Sequence, residues 1–581
     1  MTEDVEKNPG VPYDKSAGSG VPVEEGYIEQ QNGGFVRNFV DSFKPIDLSD
    51  LDTEGMTPVE IAAAATARSP LKRSLKGRHL QMIAIGGAIG TGLFIGSGGS
   101  LATGGAAGVL IGFSLTGAML YCTVHALGEL AVRFPVSGAF STYSTRFLDP
   151  SWGFAMGWNY ALQWLVVFPL ELVAASITIE YWNHTINPDA FVVIFYVLVV
   201  FINLFGSRGY GEAEFVFSLI KVLAVVGFII LGIILVCGGG PHGGYIGGKY
   251  WHDPGAFASG VKGVISVFVN AAFSFSGTEL VGLAAAETDN PRKTLPSAVK
   301  QVFWRITLFY IVALALVGLL VPYNDPKLLQ ATSSVDITAS PFVIAISNAG
   351  IRGLPSVINV VILISVLSVG NSAVYGCSRT LCAMAVQGFA PKFLGYIDRK
   401  GRPLFAVIGT LIFGLLCFIA GSGKQNEVFN WLLAFSGLSA LFTWGSICVC
   451  HIRVRRAMAV QGVSTDELAF TAALGVWGSW FGFLLNFVII CLEFWLSLYP
   501  VGAATPNAQD FFQSYLSVPL VLAMYIGHKI YSRSGFIRAK DIDLFTGIRE
   551  LDRDLLRQEI EEERAYIKSK GWYYRIYKFW C

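Results

Sequence analysis

The stretch that decides the fold runs from Gly86 to Gly98 and reads GGAIGTGLFIGSG, within an apolar segment that begins at Met82. Glycine costs about 1 kcal/mol relative to alanine in a helix interior, so six glycines in a segment of membrane-spanning character need a reason. Two reasons stay open at this point. Glycines at a spacing of four are typical of close helix–helix packing, whereas glycines at a helix break let the backbone open.

A break around Gly90-Thr91-Gly92 predicts a binding site for a zwitterion. The N–H groups that begin the second half of the helix, with the helix dipole behind them, suit a carboxylate. The carbonyls that end the first half suit an ammonium group. One interrupted helix can therefore hold both backbone groups of an amino acid. No strand precedes the stretch, which argues against a dinucleotide-binding loop.

The composition is that of an integral membrane protein. The 581 residues are 53% hydrophobic and 14% charged, whereas soluble proteins carry about 25% charged residues. About twelve apolar segments, which we number spans 1 to 12, follow one another up to Tyr531. They start near Met82, Ala106, Phe154, Ala190, Glu214, Ser259, Val302, Leu354, Leu404, Val428, Phe470 and Phe512.

The basic residues predict the orientation. With the N-terminus in the cytosol, the loops on that side hold fourteen Lys and Arg residues, Arg305 among them, against five on the other side. This is the distribution that the positive-inside rule requires, and it makes both termini cytosolic. We expect a largely disordered regulatory tail over 1–71, a transmembrane domain over 72–532 and a second tail over 533–581 with an amphipathic helix from Asp541.

Span 6 carries a second expected break, in the sequence Ser274-Phe275-Ser276-Gly277-Thr278-Glu279. A glutamate at bilayer depth is costly unless it faces a cavity or a partner. Two interrupted spans, five apart, are the sequence pattern of an inverted-repeat transporter with its site near the bilayer midplane. The predicted fold is therefore an all-α membrane bundle in which spans 1 and 6 are discontinuous.

Longer motifs connect the chain to a known family. They read LKGRHLQMIAIGGAIGTGLFIGSG, GELAVRFPVSGAF, FSFSGTELVGLAAAETDNPRKTLP, LSVGNSAVYGCSRTL, DRKGRPL and YRIYKFWC. Through them the chain from Leu71 to Cys581 resembles the amino acid–polyamine–organocation superfamily and, within it, the fungal amino-acid permeases of the general type. The resemblance implies a proton-coupled importer of amino acids at the plasma membrane, with spans 1–5 and 6–10 as inverted repeats, two extra spans and no cofactor.

The resemblance also implies where an amino acid would bind. Its carboxylate would lie on the backbone N–H groups of Thr91 and Gly92. Its amine would lie near the carbonyls of Ala88, Ile89, Phe273 and Ser274. Phe275 would close over the substrate, unless it is an ordinary packed ring, and Ser276 stands beside it in the break.

Three ionisable residues in the spans are candidates for coupling or for the cavity. Lys221 lies roughly 10 Å from the cytosolic end of span 5, a depth at which its amine either snorkels or is buried. The resemblance favours burial between spans 1 and 8, where related carriers hold sodium. Glu279 either carries the coupled proton or shapes the site for cationic side chains. Glu171 in span 3 either lines the cavity or bonds to a neighbour on its own helix.

Small polar residues of spans 8 and 10 could serve either of two roles. Ser368, Asn371 and Ser372 either contact the substrate or form hydrogen bonds between helices, which contribute about 0.6 kcal/mol each. Ser436 and Thr443 are further candidates for the pocket that accepts the substrate side chain.

The two tails carry candidate modification sites. Lys7 and Lys15 could accept ubiquitin, with ubiquitin-ligase adaptors as partners. The aromatic and basic end WYYRIYKFWC favours anionic membrane lipid, and palmitoylation of Cys581 would make the chain a lipoprotein.

Several other classes of function find no support in the sequence. It contains no catalytic triad, phosphate loop or histidine cluster, so we expect neither an enzyme nor a metal site, and no nucleic-acid partner. A channel does not need two broken spans around one site. An amino-acid sensor that uses the same site with little flux, and a permease narrow for basic amino acids, remain as alternatives.

Overall fold

The computed structural model of the protein describes residues 41–44, 75, 77–182, 186–288, 291–329, 340–422, 425–503, 505–546, 562, 566 and 569–572. The elements described below belong to the compact unit Phe43–Cys581. The predictions for Lys7, Lys15 and Cys581, and for nearly all of the tail over 1–71, lie outside the described residues.

The described helices form twelve spans, as the hydropathy pattern predicts, and eight stretches are long and apolar enough to cross a membrane. Span 1 comprises Gly77–Gly86 and, after a break, Gly92–Gly96, which continues into Ser97–Arg133. A bend at Gly105, with φ 72° and ψ 172°, divides that last helix into the end of span 1 and span 2. Spans 3, 4 and 5 are Pro150–Glu180, Pro188–Leu204 and Gly206–Val236.

The second half of the bundle repeats the pattern of a broken first span. Span 6 comprises Gly260–Phe275 and Leu280–Ala284. Span 7 is built from Pro291–Trp304, Arg305–Val312 and Ala313–Leu320. Spans 8 to 12 are Leu354–Val386, Leu404–Gly414 with Leu415–Ser422, Gln425–Gln461, Gly475–Leu498, and Ala508–Tyr515 with Ser517–Ser532.

The predicted breaks in spans 1 and 6 are both present, and they face each other. Residues 87–90 form turns between the two helical parts of span 1. In span 6 the chain turns at Gly277, whose φ of 97° favours glycine, and a Cβ there would collide with the Gly87 carbonyl. Gly92 packs directly on Ser274. The glycines therefore serve both of the purposes that the sequence left open. Some of them allow the helix break, and others allow close packing of spans 1 and 6.

The broken spans lie at the centre of the bundle. Spans 3 and 8 pack along each other, span 10 packs against spans 3 and 6, and spans 11 and 12 pack on the outside. The apolar windows of spans 3, 6 and 8 are 83%, 78% and 78% buried within the protein, whereas those of spans 5 and 11 are 28% and 33% buried. Any site at the breaks is therefore surrounded by protein rather than lipid.

Polar first turns shift two span boundaries from their predicted positions. Spans 5 and 7 begin at Gly206 and Pro291 rather than near Glu214 and Val302, because their first turns are polar and escape a hydropathy pattern. Arg305, which we expected in a loop, consequently lies inside span 7 and is 2% exposed. Its guanidinium donates to the Thr278 hydroxyl in the break of span 6.

We call the end of the bundle that carries the loops after the even-numbered spans the basic end. Residues 536–546 lie along it, and the Arg146 side chain donates to the Asp543 carbonyl at 2.8 Å. Burial opposes ionisation of the Asp543 carboxyl, but hydrogen bonds from Thr546 and Phe545 and the nearby Arg146 lower its pKa.

The amphipathic helix predicted from Asp541 does not begin there. Ala539–Asp541 form one 3-10 turn, and the chain over 542–546 is not helical. The physical reason is that Ile542 and Leu544 are buried against the basic end, with Gln461 donating to the Ile542 carbonyl at 2.7 Å. Most of the remaining predicted helix lies outside the described residues.

We predict that Gly92→Ala lowers the melting temperature of the purified protein. A Cβ at Gly92 would lie 2.6 Å from the Ser274 Cα, so the two broken spans must move apart. Overpacking of this kind costs about 1–3 kcal/mol. The matched control is Gly227→Ala in span 5, where nothing lies within 4 Å of the added carbon. Equal melting temperatures for the two variants would contradict the prediction.

Candidate functional site

Two backbone carbonyls from the two breaks converge on one point. The Tyr310 hydroxyl of span 7 is 2.9 Å from the Ala88 carbonyl oxygen and 2.8 Å from that of Ser274. These are two of the carbonyls that the family resemblance implied as ligands of an amine. A single donor thus lies within hydrogen-bond reach of both, which is the arrangement that an ammonium group requires.

A small cavity lies beside these carbonyls, between spans 1, 3, 6 and 8. It has room for about one water molecule, so an amino acid could enter only if the surrounding helices moved. Its lining comprises Ala88, Gly90, Thr91, Gly92, Trp164, Val167, Glu171, Phe273, Ser276 and Val369. Of the predicted backbone-binding residues, Ile89 and Ser274 border the breaks without lining this cavity.

Glu171 is the one carboxyl in the lining of the cavity. It is 1% exposed and accepts a hydrogen bond from the Thr91 hydroxyl across the gap between spans 3 and 1. Its Oε1 atom has no hydrogen-bond partner among the described residues. The alternative of a bond to a neighbour on its own helix is therefore not what the structure shows.

Glu279 braces the break of span 6. Both of its carboxyl oxygens lie 3.2 Å from the Gly277 backbone nitrogen, which donates to them. The Trp444 indole of span 10 donates to Oε2 at 3.2 Å, and the Tyr160 hydroxyl of span 3 lies 3.4 Å from Oε1. The carboxyl thus connects the broken backbone of span 6 to side chains of spans 3 and 10, and it does not line the cavity.

Lys221 is fully buried, so the snorkelling alternative is wrong. Its ammonium donates to the Gly86 carbonyl at 2.6 Å and to the Ser368 hydroxyl at 2.7 Å. Gly86 ends the first helical part of span 1, and Ser368 belongs to span 8. The ammonium therefore lies between spans 1 and 8, as the resemblance implied, and it touches the last carbonyl before the break.

The sequence reasoning missed the acidic partner of this lysine. Glu214 is fully buried, accepts from the Ser368 hydroxyl at 2.6 Å and lies 3.9 Å from the Lys221 ammonium. Ser218, between them on the same helix, donates to the Met82 carbonyl at 2.9 Å. The spacing of 214, 218 and 221 places the three on one helical face and could have identified the cluster. It was missed because the hydropathy pattern begins span 5 too late.

Phe275 does not reach the cavity. Its ring packs against Tyr310 and Phe113, with centroid distances of 4.3 and 5.8 Å, and it is fully buried. Ser276, by contrast, lines the cavity and accepts from the Gln163 amide at 2.6 Å. In this structure Phe275 is a packed ring, the alternative that its helical spacing left open.

The polar residues of spans 8 and 10 mostly join helices. Asn371 accepts from the Asn203 amide at 2.9 Å, and Ser372 pairs with the Tyr210 hydroxyl at 3.0 Å. Thr443 accepts from the Asn159 amide at 3.3 Å, whereas the buried Ser436 hydroxyl has no partner among the described residues. Of these predicted residues, Ser368 and Ser372 also hydrogen-bond the Glu214 carboxyl beside Lys221.

Paired breaks at the centre of a membrane bundle characterise secondary transporters, in which the broken helices expose backbone groups to a ligand. The fold and the site therefore define the chain as a multi-pass membrane transporter. Comparison with known proteins identifies its family. The profile of the family described as amino acid permease matches residues 79–540, and the chain belongs to that family. Its members are permeases rather than enzymes.

Several named permeases are similar to this chain over almost their whole length. The chain is 64% identical over 552 residues to the general amino-acid permease GAP2 of Candida albicans, covering 94% of this chain and 93% of that one. It is 59% identical over 576 residues to the general amino-acid permease GAP1 of Saccharomyces cerevisiae, covering 97% and 94%. It is also 54% identical over 557 residues to the S-adenosylmethionine permease GAP4 of Candida albicans, covering 95% and 91%.

We predict that Thr91→Val lowers the melting temperature more than Thr178→Val does. Thr91→Val removes the hydroxyl of span 1 that donates to the buried Glu171 of span 3, the one such hydroxyl among the described residues. Thr178→Val removes a hydroxyl that donates to the Ala174 carbonyl of its own helix. A buried acceptor left without its donor costs about 1–3 kcal/mol. Thermal unfolding of both purified variants checks the prediction, and an equal loss in each would show that the bond between spans adds nothing.

Proposed function

We propose that the protein is a proton-coupled importer of L-amino acids with broad specificity that works by alternating access at the plasma membrane. The observation that carries the proposal is the convergence of the Ala88 and Ser274 carbonyls on one hydrogen-bond donor. An α-ammonium group supplies three donors in the same position. The substrate would then be recognised by the part that all amino acids share.

The carboxylate of the substrate would lie on the other side of the break. Thr91 and Gly92 begin the second helical part of span 1, where the first N–H groups of a helix lack acceptors within it. The positive end of the helix dipole adds to this preference for an anion. Both residues line the cavity together with Ala88, so one small ligand can reach the two ends of the break. The carbonyls of Ile89 and Phe273 complete the proposed set.

The buried charges around the breaks support coupling to a proton. Three carboxyls, those of Glu171, Glu214 and Glu279, surround the breaks together with two cations, Lys221 and Arg305. A buried charge without compensation costs several kcal/mol, so a proton on one carboxyl would balance the set. Because the Lys221 ammonium touches the Gly86 carbonyl, a change of charge in the Lys221–Glu214 pair would act directly on the break.

The direction of transport follows from the proposed orientation. The loops at the basic end carry most of the arginine and lysine residues, and by the positive-inside rule that end would lie in the cytosol. Both termini would then be cytosolic, and a proton gradient directed inward would drive uptake. The relatives named general amino-acid permeases support the transport of amino acids across this membrane.

Broad specificity follows from recognition through the backbone groups. Relatives above 50% identity carry names with different substrates, so the same fold is compatible with more than one choice of side chain. Trp164, Val167 and Val369 present apolar surface to the cavity, and Glu171 is the one ionisable residue in its lining. A cavity with these walls can accept neutral side chains and can favour a cationic side chain through the carboxyl.

The wild-type protein in liposomes should accumulate labelled L-leucine when the outside is acidic, and Lys221→Met should exchange leucine without accumulating it. Methionine keeps the length of the side chain but removes the charge that touches the break. Lys249→Met, at an exposed lysine, is the control and should accumulate leucine normally. If Lys221→Met accumulates leucine to the wild-type level, Lys221 has no role in coupling transport to protons. Binding of leucine by the wild type without flux would indicate a sensor instead.

Competition for uptake by the common amino acids, measured at two pH values, should distinguish the roles of the Glu171 and Glu279 carboxyls. In Glu171→Gln, lysine and arginine should compete about tenfold less well while neutral amino acids keep their order, because a charged partner in the cavity is lost. Glu279→Gln is the matched control, since that carboxyl braces the backbone outside the cavity, and the order of competitors should stay the same. Selective loss of basic competitors in Glu279→Gln would reverse the assignment.

A further inference from the structure

The Tyr310 hydroxyl occupies the position that an ammonium group would take between the two breaks. It is fully buried and lies within 3 Å of both the Ala88 and the Ser274 carbonyl oxygens. These oxygens come from different halves of the bundle. Tyr310 belongs to neither broken span, so a third helix supplies the contact between them.

The ring of Tyr310 is held independently of its hydroxyl. It stacks on Phe113 of span 2 with a centroid distance of 6.2 Å and contacts the Phe275 ring at 4.3 Å. The ring is therefore fixed by apolar packing, and its hydroxyl is directed at the two carbonyls. Removal of the hydroxyl alone leaves these ring contacts in place.

Hydrogen bonds join neighbouring helices on both sides of this contact. At the basic end, the Arg379 guanidinium of span 8 donates to Ser207 of span 5 at 3.0 Å and to Glu287 at 3.1 Å. Glu287 belongs to the 3-10 turn Ala285–Glu287, which continues span 6. At the opposite end, the Ser340 hydroxyl donates to the Phe94 carbonyl at 2.7 Å. Asn270 joins span 6 to span 1 there through the Ser100 hydroxyl at 2.5 Å.

We propose that Tyr310 is a positioning residue that stands in for the substrate ammonium while the empty transporter is closed. A transporter that works by alternating access must close twice in each cycle, once loaded and once empty. When it is loaded, the ammonium satisfies the two carbonyls. When it is empty, these buried acceptors would lack a donor, and the Tyr310 hydroxyl supplies one. The inference rests on the proposed function.

The exchange between the two donors follows from their hydrogen-bonding capacity. A phenol has one hydrogen to share between two carbonyls, whereas an ammonium group has three and carries a charge that strengthens each bond. The substrate can therefore displace the hydroxyl on binding. The hydroxyl returns to the carbonyls when the substrate leaves, and closure then proceeds without a ligand.

The test compares two modes of transport by Tyr310→Phe in liposomes. Net uptake of labelled L-leucine requires the empty transporter to return, whereas exchange of external for internal leucine does not. We expect net uptake to fall on the order of tenfold, the effect of losing one hydrogen bond, while exchange stays within about twofold of the wild type. The KM for exchange should not rise.

The control is Tyr143→Phe. The Tyr143 hydroxyl also donates to a backbone carbonyl, that of Phe134 at 2.7 Å, and the residue is 1% exposed, but the bond lies at the basic end away from the breaks. This variant should keep the wild-type ratio of net uptake to exchange. Equal loss of both modes in Tyr310→Phe, or an increase in its KM for exchange, would overturn the proposal in favour of a contact with the bound substrate. No change in either mode would also overturn it.

A ligand-binding measurement that needs no transport tests the proposal even if Tyr310→Phe folds too poorly for reconstitution. Saturating L-leucine should raise the melting temperature of purified Tyr310→Phe more than that of the wild type, because the ligand restores donors that the empty variant lacks. An equal increase in the two proteins would count against the proposal. If the wild type exchanges no leucine at all, the proposed function itself is wrong, and this outcome is distinct from the others.

Discussion

Backbone groups at the middle of a bilayer need partners within the protein, and this constraint governs the centre of the molecule. Each break leaves peptide groups that a continuous helix would have satisfied. The Gly86 carbonyl is bonded to the Lys221 ammonium, and the Gly277 nitrogen donates to the Glu279 carboxyl. The side chains that stabilise the breaks are thus ionisable or hydroxyl groups, and the same groups would respond to a proton or an amine.

Close packing brings the two breaks to one place. The absence of side chains at Gly87 and Gly92 lets span 1 approach Gly277 and Ser274 of span 6 until backbone meets backbone. Bulkier residues at these positions would separate the carbonyls that now converge on one donor. The cost of glycine in a helix is therefore offset by a contact that only a bare backbone can make. The proposed recognition of a zwitterion would depend on this approach more than on any single polar side chain.

The sequence was sufficient for the spans and their breaks, because clustered glycines and polar residues within an apolar run are unfavourable in a continuous helix that faces lipid. The sequence could not decide whether Lys221 was buried. The first turns of span 5 are polar, so the predicted start of that span fell too late and placed Glu214 at the membrane edge. Tyr310 was missed for a different reason. Within the apolar run around it, a tyrosine is indistinguishable from a residue facing lipid until span 7 is seen to cross both breaks.

Glu287 connects several elements at the basic end in a way that has a mechanical consequence. Its carbonyl accepts from the Leu75 nitrogen at 3.4 Å just before span 1, and its carboxyl pairs with Arg379 of span 8. The backbone and the side chain of this one residue therefore connect three elements. These are the segment before span 1, the end of span 6 and span 8. A path that separates these three elements on that side would have to break the Leu75 backbone bond, the Arg379 ion pair, or both.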